Sequence, residues 1–131
     1  MHGILYYGKG KVEEVFEIEQ CRELRIYRKD HCLDVSGHDA MSPIYKQGDA
    51  VIWWPKKEPG YFNRALNQVW HLERLINPID KYDYSYNRFY IEDYRHEFYL
   101  CYKDNNTMFL SKNASDKKII FEYNKKLNRL S

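Results

Sequence analysis

Short runs of β-branched and aromatic residues, each cut off within a few positions by glycine, proline or an Asx residue, constrain this chain more than any other feature. Runs of that length are too brief for ordinary helices and suit strands half buried on a sheet. The pattern predicts strands near residues 4–7, 12–18, 23–27, 32–35 and 50–54. Turns are expected at Gly8 and Gly10, at Lys29 and Asp30, and at Gln47, Gly48 and Asp49. A second set of strands is predicted at 89–92, 97–102, 107–110 and 118–123, with Asp104, Asn105 and Asn106 as a hairpin turn.

Between the two sets the period changes. Phe62, Ala65, Leu66, Val69, Leu72 and Ile76 recur at three-to-four spacing, with Asn63, Arg64, Asn67, Gln68 and Arg74 between them. This predicts one inserted amphipathic helix over 61–76, packed on the sheet and ended by Asn77 and Pro78. The expected organisation is a single mainly β domain over 1–131: a β-rich part (1–58), the helix (61–76) and a Tyr-rich β part (79–123).

Lys plus Arg number 21 against 19 Asp plus Glu, and the signs are interspersed. Phosphate recognition needs a local basic excess, so this balance argues against a dedicated nucleic-acid binder. Cys21, Cys32 and Cys101 form no close pair, so free thiols in a reducing cytoplasm are expected rather than disulfides or a metal site. The apolar run at the N-terminus is too short for a signal peptide and no stretch reaches membrane-span length, which predicts a cytoplasmic protein with no membrane partner. No cofactor motif is visible. The 13 tyrosines and 3 tryptophans exceed what one small core absorbs, which predicts aromatic anchors at the surface. The candidates are Trp53, Trp54, Tyr82, Tyr84 and Tyr86; the three tyrosines alternate with polar residues and would share one face of an extended segment.

The most informative stretch runs Val35-Ser36-Gly37-His38-Asp39-Ala40-Met41-Ser42-Pro43 and on through Gly48-Asp49 into Ala50-Val51-Ile52. With Phe98 to Tyr102, the segment Met108 to Asn113 and residues 118–121, it resembles the LexA/UmuD family of self-cleaving regulators. The resemblance implies a compact, strongly bent β domain that dimerises or holds a peptide strand. It also implies a serine nucleophile before the methionine and a lysine base on the later hairpin. Here position 40 is alanine, and residues 98–101 contain no lysine, with Leu100 at the corresponding place. An unactivated site of this kind cannot cleave, so the resemblance implies a pseudo-peptidase. His38 is an extra residue between Gly37 and Asp39.

The resulting expectation is a non-catalytic regulatory module, from a phage or mobile element, that pairs with itself as a dimer or with a partner protein. No helix-turn-helix precedes it, so operator binding is not expected. Two alternatives stay open. The Tyr-rich face, with Lys81, Arg88, Arg95 and Lys103, would serve as a stacking platform for single-stranded nucleic acid. An enzyme with an unrecognised site would show a polar pocket around His38, Ser42 and His96. Against these stand plainer roles: turn hydrogen bonding for Ser36 and Ser42, charge pairing for Asp80, Asp83, Glu92, Asp93, His96 and Glu97, and a helix-face position for His71.

Overall fold

The computed structural model describes residues 2–7, 11–12, 16–20, 24–38, 41–57, 65–75, 86–103 and 107–124. They are mainly β. In chain order the strands are β1 (His2–Tyr7), β2 (Lys11–Val12), β3 (Phe16–Gln20), β4 (Leu24–Arg28), β5 (His31–Val35) and β6 (Ala50–Pro55). After a 3-10 turn (Leu66–Gln68) come β7 (Trp70–Arg74), β8 (Tyr86–Asp93), β9 (Tyr99–Lys103), β10 (Thr107–Ser111) and β11 (Ile120–Asn124).

The strands pair antiparallel, and β4, β5, β6, β10, β9, β8 and β7 close into a seven-strand barrel. Leu24↔Trp70 joins β4 to β7, and Glu92↔Tyr99 joins β8 to β9. A second cycle runs from β4 through β3, β1 and β11 back to β8 and β7, so three strands are shared between the two. Closure removes the unpaired edges that would otherwise invite aggregation.

Alternation along each strand assigns the core. Val35 stands opposite Val51, Val51 opposite Met108, and Leu100 opposite Leu110. All of these side chains are buried, and they form one cluster with Ile26, Leu33, Trp70, Ile91 and Phe121. Each such side chain contributes roughly 1.5–3 kcal/mol by leaving water. Cys32 and Cys101 are free and buried, and burial pushes their thiols up to about 12 and about 11, so neither is a ready nucleophile.

The inserted helix is the expectation that fails. Residues 61–64 and 76 lie outside the described set, but 65–75 form the 3-10 turn and then strand β7. Two interactions override the helical spacing. Asn67 and Gln68, assigned to the wet face of a helix, are buried and donate to Asp34 Oδ2 at 3.2 and 3.0 Å. Trp70 is buried in the barrel and donates its indole N–H to Leu33 O at 3.0 Å. Ala65, at φ 54°, already lies outside the right-handed region that a helix requires. From Trp70 onward the period is 2: Trp70 and Leu72 face the core while His71 and Glu73 face outward.

Candidate interaction surface

Between β5 and β6 lie 14 residues, 36–49, and those described, 36–38 and 41–49, are heavily clamped. Gly48, at φ 89° where a side chain is disfavoured, lets the chain reverse. Its N–H donates to Leu110 O (2.8 Å), and Leu110 N–H donates back to Asp49 O (2.9 Å). Asp49 Oδ2 accepts from Lys46 N–H (2.8 Å) and from His38 Nε2 (2.7 Å). Gln47 donates to Ser111 Oγ at 2.7 Å and accepts from Lys112 N–H at 2.8 Å. From across the barrel, Tyr94 donates its hydroxyl to Pro43 O at 2.6 Å.

The loop's apolar residues divide by this clamping. Pro43 and Tyr45 are buried, Tyr45 edge-on to both His38 (4.9 Å) and Tyr94 (5.9 Å). Between and before them, Ile44 is 70% exposed and Met41 51% exposed. The Tyr45 hydroxyl is buried without a hydrogen-bond partner among the described residues, and burial raises its pKa. An orphaned buried hydroxyl is destabilising, so Tyr45→Phe is expected to leave the unfolding free energy unchanged or raise it by up to about 1 kcal/mol. A loss of more than that in urea titration would show that the hydroxyl has a partner after all.

Of the aromatic candidates, Trp53 packs against the core cluster with Arg28 over its ring at 4.9 Å. Trp54, on the opposite face of β6, is 50% exposed. Beside it in the sheet, Lys56 lies over the Tyr27 ring at 4.8 Å. Tyr82 and Tyr84 lie outside the described residues, and Tyr86 begins β8 with only its backbone described.

Ala40 and Asp39 also lie outside the described residues. Leu100 is wholly buried in the core cluster, facing the barrel interior. His38 and Asp49 form the base-and-carboxylate half of a hydrolytic constellation, but no hydrogen bond joins His38 to Ser36 or Ser42 among the described residues. Here Asp49 holds a turn. His96 stacks on His71 at 3.9 Å and lies 3.2 Å from Glu92 Oε2. Asp80 and Asp83 are outside the described set; Asp93 closes the turn after β8 by accepting from Glu97 N–H and Phe98 N–H. Among the described residues no group of three or more His, Cys, Asp or Glu is placed to hold a metal ion. No described helix is long and apolar enough to cross a membrane.

Sequence reasoning did not single out Ile44. The available signal was its place between a proline and a tyrosine in a loop, where an alternating buried-exposed pattern leaves one aliphatic side chain in water. No family model, curated protein or solved structure matches the chain.

Proposed function

We propose that the chain is a non-catalytic protein-binding module that grips a partner protein with Ile44 and Met41 on the clamped loop and with Trp54 on β6. The observation that carries this reading is the clamping around Ile44: Pro43 O, Lys46 N–H, Gln47 and Asp49 are all hydrogen-bonded while Ile44 itself is 70% exposed. Presenting an apolar side chain on a fixed backbone lowers the entropy lost on binding, which is how interface anchors gain affinity. Within this reading the likeness of residues 35–52 to LexA/UmuD-type domains stands for a degenerate relative. Leu100, at the place where the resemblance puts the lysine base, is in keeping with that, because a leucine side chain has no group that can take a proton from a nucleophile.

The experiment uses the immobilised chain to capture a binding protein, which is then purified and titrated against wild type, Ile44→Ser and Trp54→Ala. Both side chains are exposed, so the melting transition is expected to stay within about 2 °C of wild type. Loss of a true anchor weakens binding by about 30-fold or more, corresponding to roughly 2 kcal/mol. If both variants bind as tightly as wild type, this assignment of the site is wrong.

A further inference from the structure

A different face carries two lysines that no described carboxylate pairs with. On the outside of the barrel, Cα pairing places Lys118, Cys101 and Phe109 in one row across neighbouring segments, with Tyr99 and Lys103 two residues to either side along β9. Lys118 Nζ lies over the rings of Tyr90 (5.4 Å) and Tyr99 (5.0 Å), and Lys103 Nζ over Phe109 (5.5 Å). Tyr90 and Tyr99 meet edge to face at 5.6 Å. Neither lysine has a carboxylate partner among the described residues, whereas Arg88, Arg95 and Lys57 are paired with Glu122, Glu97 and Asp34.

The other side of the same face is acidic. Glu73 stands opposite Tyr90 and Glu92 opposite Tyr99 in the sheet register. Tyr99 donates its hydroxyl to Glu73, so one tyrosine ring lies between the carboxylates and Lys118. Burial and then the neighbouring Glu73 carboxyl push the Glu92 pKa up, the mark of two acids crowded together. His96 partly offsets this from the turn after β8. Among the described residues the lysine side therefore has Lys103 and Lys118 against Asp116, which accepts from Ser111 Oγ, and the other side has Glu73 and Glu92 against His96, with half-buried rings between them.

We propose that this face, from Glu73 and Glu92 across Tyr90 and Tyr99 to Lys118 and Lys103, is a self-complementary interface that binds a second copy of the chain about a two-fold axis. A two-fold places each copy's acidic side against the other's lysines, so one contact is made twice and both surpluses are relieved. A nucleic-acid strand fits less well. The ring faces are already occupied by lysine ammonium groups, and a polyanion following the lysines meets Glu73 and Glu92. The inference does not rest on Ile44 or Trp54.

The test is charge reversal read by sedimentation equilibrium. Wild type is expected to dimerise, with a dissociation constant that rises between low and high salt because exposed charges are screened. One variant carries Lys103→Glu and Lys118→Glu, the other Glu73→Lys and Glu92→Lys. Each alone should self-associate at least about 100-fold more weakly, because like charges then face each other. Mixed in equal amounts, the two should form a heterodimer, a recovery that general misfolding cannot produce. Since Lys118 is packed on two rings, Lys103→Glu alone serves as a milder variant at an exposed position. Trp54→Ala should leave dimerisation unchanged, so failure here and failure of the partner-binding reading are separable. A wild type that stays monomeric in low salt, variants that each dimerise normally, or a single-stranded oligonucleotide displacing the second copy would each overturn the proposal.

Discussion

Replacing Trp70 by alanine is expected to lower the unfolding free energy by about 4 kcal/mol, the largest effect of any single change at a described position. Trp70 is among the largest fully buried side chains, and its removal opens a cavity where β7 meets β4. The same change removes the indole donor from Leu33 O. A domain of ordinary stability has only about 5–15 kcal/mol in reserve, so the midpoint of thermal unfolding should fall by roughly 15 °C. Trp70→Phe separates the two contributions. It keeps most of the ring volume while losing the donor, and it should cost about 1–2 kcal/mol. If Trp70→Ala melts within a few degrees of wild type, β7 does not close the barrel as described.

The second large effect is expected at Asp34. This carboxylate is 3% exposed and accepts from both Asn67 and Gln68, with Lys57 Nζ at 3.8 Å. Gln68 also accepts Lys57 N–H and donates to Pro55 O, so the network ties the residue 65–69 segment to β5 and β6. Asp34→Ala leaves the amide donors without their acceptor in a dry site and should cost about 2–3 kcal/mol. Asp34→Asn retains an acceptor oxygen and should be close to neutral at pH 7. The reason lies in the sign of the pKa shift. Burial raises the Asp34 pKa despite the donors and Lys57, so the native state favours the protonated acid. Its contribution is fully present below the unfolded value of about 4 and is lost as pH rises through the higher folded value. Urea titrations across pH 3–8 should therefore show wild type losing stability over that window relative to Asp34→Asn. A wild type that instead gains on Asp34→Asn as pH rises would mean that Lys57 and the amides outweigh burial.

The same two residues explain what could be read from the sequence and what could not. Strands β4, β5, β6, β9 and β10 were legible because each is a short run of β-branched, aromatic and aliphatic residues cut off by turn residues, and successive side chains along such a run alternate between faces. The different faces of Trp53 and Trp54 follow from that alternation alone. Strand β7 was hidden because Ala65, Leu66, Val69 and Leu72 satisfy a helical period locally. The deciding partners, Asp34 and Leu33, lie more than 30 residues away and leave no trace in the spacing. The candidate surface divides in the same way. Trp54 announces itself by type, whereas Ile44 becomes informative only when Tyr94 and Asp49, supplied by tertiary structure, fix the loop around it.

The position of β11 bears on how the chain reaches its fold. Strand β11, the last of the described strands in chain order, is an interior one: Phe121 stands opposite Leu5 of β1 on one side and opposite Phe89 of β8 on the other. Its ring is wholly buried and lies 6.2 Å from Phe89. Before β11 has been made, no described strand lies between β1 and β8. The cycle through β1, β3, β4, β7 and β8 therefore closes only once β11 is in place. Joining strands more than a hundred residues apart also makes loop closure a large part of the folding barrier. Until then the facing edges of β1 and β8 stand open, and an open strand edge is where one chain pairs with another.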